Sequence, residues 1–532
     1  MGIPSYFSHI IRKYTKILRN HKYFIENDKP FTHLYMDCNS IIYDTYHSIS
    51  DTYLPDKEEE FEEQIIHEVA KRIEEYILMI KPTNVAYISF DGVAPLAKME
   101  QQRKRRFKTQ FMSTIIYDNT EPFIPKWDTC SITPGTIFMD KLSNYIYSYF
   151  KNKETQYKVK NIIVSCSDKP GEGEHKLYSH IRLNDMTNSN VAVYGLDADL
   201  IMLSIFHLKY CNNIFVFRES PEFLKNSIPI EIIGNTNEPY FLDIEYLSQS
   251  IIIEMGCTDN NPNRIDDYVF MCFLLGNDFL PHFPAINIRT NGINILLDVY
   301  KKAVVGGGGG VGLISKEGIV WKNVKKMLII LGECEEELLK NEYIAKQKYE
   351  KYKHRENTKE EKKDVLMSCP LIYRSVEKYI CPLEVGWEKR YKKELLVNES
   401  VESVCSNYLE GLEWVYKYYI GERIWSWKYE INYAPLIVDV SKCSWWCGSR
   451  SRLYKEYSVY TQMLYVLPEE KKELFPKRMR KYILEKKKEI YPMSKRFSWA
   501  FSRYFWECSP ILPRIEMEML DRYNEDIKRI ME

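Results

Sequence analysis

Four times in the first 200 residues, a short apolar, β-rich run ends in a carboxylate. His33-Leu-Tyr-Met36 leads into Asp37, and Val85-Ala-Tyr-Ile-Ser-Phe90 leads into Asp91. Asn161-Ile-Ile-Val-Ser165 leads, after a short turn, into Gly171-Glu172-Gly173-Glu174, and Val191-Ala-Val-Tyr-Gly-Leu196 leads into Asp197-Ala-Asp199. Amphipathic stretches separate the runs, so residues 1–300 carry the pattern of an α/β domain with a mostly parallel sheet flanked by helices. In such a sheet, sites form beyond the carboxyl ends of the strands. Acids far apart in sequence are therefore expected to converge on one rim, where Leu274-Leu-Gly-Asn-Asp278 adds a fifth acidic position. A helix cap or a turn explains any one of these acids. It does not explain the same chemistry at the same rim four times.

Seven carboxylates in one cleft repel each other unless hard cations with oxygen ligands sit among them. Two such ions about 3.5–4 Å apart activate a water and stabilise a leaving oxygen in phosphodiester hydrolysis. Just after Asp91-Gly-Val-Ala-Pro95 comes Lys98-Met-Glu-Gln-Gln-Arg-Lys-Arg-Arg-Phe107. Lys98, Gln102, Arg105 and Arg106 fall at i, i+4, i+7 and i+8, on one helical face. Arginine offers a planar fork suited to phosphate and lysine adds a point charge. A terminal phosphate beside the metals is the functional reading; a solvated basic helix is the alternative.

The remaining 232 residues differ in texture. Residues 301–370 contain the glycine run Gly306–Gly310, read as a flexible surface connection, and a Lys/Glu-rich stretch around Glu335–Lys363, read as one or two exposed helices or a partly disordered insert. No Gly-Lys-Ser/Thr follows the glycines, so they are not a P-loop. Residues 371–532 are aromatic-rich and helical in pattern. The 74 basic and 74 acidic residues cancel, so any basic footprint is local. Thirteen cysteines, of which Cys443 and Cys447 are the closest pair, lack zinc spacing and read as reduced thiols. No run reaches the ~18 apolar residues of a membrane span. Tyr6 stands where a myristoylation signal wants Ser or Thr. A cytoplasmic, membrane-free monomer is expected, with a nuclear address as the second reading if Arg103–Arg106 serves as an import signal. The bias toward Ile, Lys, Asn and Tyr suggests an AT-rich coding genome, such as a viral one.

Several stretches, taken in order, resemble the Xrn family of 5′→3′ exoribonucleases. They are Met1-Gly-Ile-Pro4, Met36-Asp-Cys-Asn39, Phe90-Asp-Gly-Val-Ala-Pro95, Gln101-Gln-Arg103, Ile132-Thr-Pro-Gly-Thr136, Pro170-Gly-Glu-Gly-Glu-His-Lys176, Tyr194-Gly-Leu-Asp-Ala-Asp-Leu-Ile-Met202 and Gly276-Asn-Asp-Phe-Leu-Pro281. The resemblance implies a PIN/5′-nuclease-like sheet domain with a largely helical C-terminal lobe. It implies metal-binding and catalytic roles for Asp37, Asp91, Glu172, Glu174, Asp197, Asp199 and Asp278, holding two Mg²⁺ ions with Mn²⁺ as the substitute. It implies a 5′-monophosphate pocket from Lys98, Gln102, Arg105 and Arg106, and decay of decapped, single-stranded RNA to mononucleotides, with a decapping enzyme as partner.

In the C-terminal third, Glu410-Gly-Leu-Glu-Trp414, Trp425-Ser-Trp427, Tyr433-Ala-Pro435 and Val466-Leu-Pro468 resemble the family's second characteristic region. By motif position the tryptophan that stacks on the first base is Trp425; a core role for it stays open. Six residues after the first aspartate the family usually has a stacking histidine, and here stands Tyr43, which stacks but carries no positive charge. A compact form without the large C-terminal extension of the bigger family members is expected. A DNA-acting 5′ or flap nuclease and a catalytically silent RNA-binding scaffold are the rival readings.

Overall fold

The computed structural model describes residues 3, 5–119, 126–195, 197–219, 239–257, 261, 263–306, 310–350, 356–397, 399–422, 424–443 and 453–532. Met1, Gly2, Pro4, Leu196, the middle of the glycine run and Cys447 lie outside them.

Seven strands form one sheet: β1 (Leu18–Arg19), β2 (His33–Asp37), β3 (Val85–Ser89), β4 (Asn161–Ser165), β5 (Asn190–Tyr194), β6 (Asn213–Arg218) and β7 (Tyr240–Asp243), in the order β1-β7-β6-β5-β2-β3-β4. All pairings from β6 to β4 are parallel, and β7 and β1 close one edge antiparallel. Each predicted strand run is a strand. Alternate residues enter opposite cores, as the two-residue period of a strand requires. Tyr35, Tyr87, Val193 and Val216 join one buried cluster, and Leu34, Ile88, Ala192 and Phe215 join the other. β2 pairs with both β3 and β5, so the strand order reverses there and a crevice opens beyond their carboxyl ends.

Six helices matter for the site: α1 (Leu96–Asn119), α2 (Gly173–Leu183), α3 (Ala198–His207), α4 (Trp321–Glu350), α5 (Val401–Ile420) and α6 (Val459–Val466). Of the Lys/Glu-rich stretch Glu335–Lys363, read as exposed helices or an insert, the helix Lys359–Met367 has no buried residue, while the part on α4 is anchored by Glu335, Leu339 and Tyr343. Val324, Met327, Leu328, Leu331, Glu335, Leu339 and Tyr343 form a buried stripe at three- and four-residue spacing along α4. Its charged residues hid that stripe. Glu335 is buried and accepts hydrogen bonds from the Ile437 and Val438 amides at 2.7 and 2.9 Å, tying α4 to the next helical layer. One hydrophobic cluster runs from Ile3 through one sheet face to Trp414, Trp427 and Phe501, so the helical region packs on the sheet domain without a break. The described cysteines are all free thiols. Among the described residues, no helix is long and apolar enough to cross a membrane.

Candidate active site

Asp37 is the last residue of β2, and Asp91 follows β3 by two residues. Glu172 stands at the N-cap position of α2 and Asp197 at that of α3, neither making a side-chain capping hydrogen bond, with Glu174 and Asp199 in the first turns. Both helices thus turn their positive ends toward the rim, where negative side chains are favoured. Asp278 follows the turn Phe273–Leu275, held by Asn277, whose side-chain oxygen accepts the Phe279 and Leu280 amides at 2.9 Å. All seven acids line one cleft of about 190 Å³ together with Lys98, Gln102, Arg105, Arg106 and Tyr43.

Two glycines make the convergence possible. The Gly173 amide donates to Asp91 Oδ1 at 2.7 Å, and a Cβ there would lie 2.8 Å from Asp37 Oδ1. A Cβ on Gly92 would meet the Lys169 carbonyl oxygen at 1.8 Å, so the loops after β3 and β4 are pressed together. Lys176 ties the same loops by donating to the Phe90 and Cys166 carbonyls at 2.8 and 2.9 Å.

The acids crowd each other. Burial, followed by the charges of Asp91 and Asp197, pushes the Asp37 carboxyl up to about 8. Burial also raises Glu172, Glu174 and Asp199, with neighbouring carboxylates adding to it. Lys98 supplies the counter-charge: its Nζ lies 2.6 Å from Glu172 and 3.2 Å from Asp278. Burial works against the Lys98 charge, but those carboxylates outweigh it and hold its pKa well above the ordinary ammonium value. Burial pushes the Asp278 carboxyl up, yet neighbouring positive charges, the Lys98 ammonium among them, outweigh it and hold the carboxyl below its ordinary value. Lys98, Arg105 and Arg106 against seven carboxylates still leave the cleft net negative, and the acids' oxygens suit hard divalent cations. Glu172, Glu174 and His175 bring ligand atoms within 4.8 Å of one another.

The basic face of α1 has divided duties. Lys98 is engaged by the acids. Arg106 donates to the Cys130 and Ile132 carbonyls at 3.4 and 3.2 Å and to the Thr133 hydroxyl, so it shapes the 130–133 loop. Gln102 is buried, and its side-chain oxygen has no hydrogen-bond partner among the described residues. Arg105 lines the cleft with no side-chain hydrogen bond or ion pair among the described residues. Arg103, from the run read as an import signal, is 1% exposed and donates to the Pro513 and Ile490 carbonyls at 3.0 and 2.9 Å. Half of that basic run is interior.

Tyr43 lines the cleft, half-buried. Trp425 does not: it is 5% exposed, its indole N–H donates to Glu410 at 2.9 Å, and its carbonyl accepts from Trp414 at 2.7 Å. The sequence reading missed the contributions of the helical region. Gln462 on α6 accepts the Ala94 amide at 2.8 Å, steadying the loop that carries Asp91. Tyr418 and Tyr419 on α5 reach the acids themselves. Such contacts span hundreds of residues and leave no local pattern to read.

Residues 1–220 match the family described as the XRN 5'-3' exonuclease N-terminus, and residues 259–380 and 380–530 match the Xrn1 helical domain. The second match begins upstream of the boundaries at 301 and 371 suggested by composition. The 5'-3' exoribonuclease 2 of Gallus gallus is 26% identical, over 99% of this chain and 70% of that protein. The 5'-3' exoribonuclease 1 of Saccharomyces cerevisiae is 25% identical, over 98% of this chain and 43% of that protein, so the chain spans less than half of the yeast relative. Among solved structures, the catalytic core of Rad2 in complex with DNA substrate aligns with a TM-score of 0.33 and 14% identity, over 56% of this chain and 69% of that one.

Proposed function

This chain belongs to the XRN 5'-3' exonuclease family, and from that premise we propose that it hydrolyses single-stranded, 5′-monophosphorylated RNA stepwise to mononucleotides. The observation that carries the reading is the meeting, in one cleft, of seven carboxylates with an arginine that has no partner within the described protein. Asp37, Asp91, Glu172, Glu174, Asp197, Asp199 and Asp278 would hold two Mg²⁺ or Mn²⁺ ions. When bound, the metal would supply an activated water and neutralise charge on the departing oxygen.

The protein's own groups do the rest. Arg105 offers its guanidinium fork to the 5′-phosphate, and Gln102 adds a side-chain amide beside it. Arg106 keeps the 130–133 wall in place through its carbonyl contacts. Lys98 balances the buried acids and lies at the junction between them and the phosphate pocket. Arg105 and Gln102 offer donors suited to one terminal phosphate group, which favours decapped RNA over capped or triphosphate ends. That in turn calls for a decapping enzyme upstream and a cytoplasmic setting for mRNA decay. Tyr43, which lines the cleft, would stack on the first base.

The test is a matched set of RNA and DNA strands bearing a 5′-monophosphate, triphosphate, hydroxyl or cap, with Mg²⁺ or with EDTA. Loss of the monophosphorylated RNA alone, only with Mg²⁺, is expected. Survival of that strand would end the proposal, and faster loss of the DNA would favour a DNA-acting nuclease. Arg105→Ala should narrow the preference for monophosphate over hydroxyl ends about 10- to 100-fold, the worth of a ~1.5–3 kcal/mol hydrogen bond to a charged group. The comparison of kcat/KM on the two ends checks it, and unchanged selectivity removes Arg105 from the pocket.

A further inference from the structure

Two of the cleft's carboxylates are held by the far end of the chain. The Tyr418 hydroxyl donates to Glu172 Oε1, and the Tyr419 hydroxyl donates to Asp199 Oδ1, across separations of 246 and 220 residues. We propose that Tyr418 and Tyr419 are positioning residues that aim Glu172 and Asp199 at a divalent cation, so that the helical region sets the cation affinity of the site. The inference rests on reading the acid cluster as a metal site.

The geometry suits that task. The two tyrosines are consecutive near the C-terminal end of α5, so their side chains leave the helix about 100° apart. That divergence lets one reach the N-cap position of α2 and the other the first turn of α3. Both rings are locked by packing. Tyr418 is stacked between His175, with ring centroids 3.7 Å apart, and Trp414, at 4.9 Å, with the edge of Phe279 at 5.6 Å. Tyr419 meets Phe273 at 5.1 Å and Phe206 at 6.2 Å. α5 ends one residue after the pair, where Gly421 takes a φ of 74° and lies against the guanidinium of Arg182 on α2. The hydroxyls are therefore fixed relative to the helices whose acids they touch.

A carboxylate ligand free to rotate loses orientation when it binds a cation. One already held by an outer hydrogen-bond partner keeps its orientation, and such outer partners tune metal sites strongly. A phenol is apt for this: it donates one hydrogen bond, is neutral near pH 7, and brings no positive charge to compete with the cation. Lys98, on the other oxygen of Glu172, anchors it too, but as a charge. The plainer alternative is that both tyrosines only fill space in the aromatic layer under the cleft.

Tyr418→Phe, Tyr419→Phe and the double variant separate these cases, since phenylalanine keeps the ring and removes only the hydroxyl. Mn²⁺ binding to the full chain without RNA, by titration calorimetry or Mn²⁺ paramagnetic resonance, gives a readout apart from turnover. Each substitution is expected to weaken Mn²⁺ about 10- to 100-fold, with the melting temperature near the wild-type value. Turnover should return as Mn²⁺ is raised. Wild-type Mn²⁺ affinity in both single variants would overturn the inference. Asp199→Asn is the control on its premise: if it and the wild type bind Mn²⁺ alike, the acid cluster is no metal site and the underlying reading falls as well.

Discussion

Asp197→Ala should lower kcat on monophosphorylated RNA at least about a thousandfold, near 4 kcal/mol of transition-state stabilisation, while the protein stays folded and still binds RNA. The reasons lie in where this aspartate stands. It stands at the N-cap position of α3 beyond β5, next to β2 and Asp37, at the point where the strand order reverses. Unlike Glu172, Glu174 and Asp199, it is exposed, so its removal empties no packed volume. Its charge is one of those that push the Asp37 carboxyl up, so losing it relieves repulsion in the cation-free protein. The melting temperature should hold or rise without divalent cations, while turnover collapses with them. Retained binding is expected because the basic face of α1 is untouched. Substantial turnover by this variant in single-turnover assays would take Asp197 out of the chemistry.

Arg103→Ala should cost the fold much of its stability, although Arg103 does not line the cleft. Its guanidinium, 1% exposed, joins α1 to two segments near the C-terminus through the Ile490 and Pro513 carbonyls. It also lies over the rings of Phe107 and Tyr465, at 5.7 and 5.2 Å. Two hydrogen bonds from a charged donor, at ~1.5–3 kcal/mol each, amount to roughly 3–6 kcal/mol. Urea unfolding followed by tryptophan fluorescence should show the midpoint move down by the corresponding amount. Arg103→Lys should recover little, since one ammonium lacks the fork that spans both carbonyls. An unchanged midpoint in the alanine variant would mean that α1 is held by its apolar face alone. Set against Arg105→Ala, the pair divides one basic run into a structural arginine and a substrate-facing one.

That division marks how far the sequence could be read. The strand runs ending in Asp37, Asp91 and Asp197 were legible because strand periodicity and a terminal acid are both local signals. The face of Lys98, Gln102, Arg105 and Arg106 was legible for the same reason, since helical spacing put all four on the cleft side. What those four do there was not: the commitments of Lys98 to acids and of Arg106 to carbonyls depend on segments brought in by folding. Trp425 and Trp427 look alike in sequence, and only packing places Trp425 under Lys417 and against Glu410 rather than in the cleft. The Lys/Glu-rich part of α4 shows the opposite error. Abundant Lys and Glu suggested solvent, yet its buried stripe needs only one residue in three or four.

The unbroken cluster from Ile3 to Phe501 bears on what could be made from this gene by cutting it. A fragment ending at residue 300 would keep all seven acids and the whole of α1, and would look like an intact nuclease on paper. It would also strip the cover from Phe206, Phe270 and Phe273, which face Tyr416 and Tyr419. Arg103 would lose both of its carbonyl partners, and Ala94 would lose Gln462. Such a fragment should aggregate. Supplying residues 301–532 as a separate polypeptide should restore solubility, the two pieces complementing each other like halves of a split enzyme.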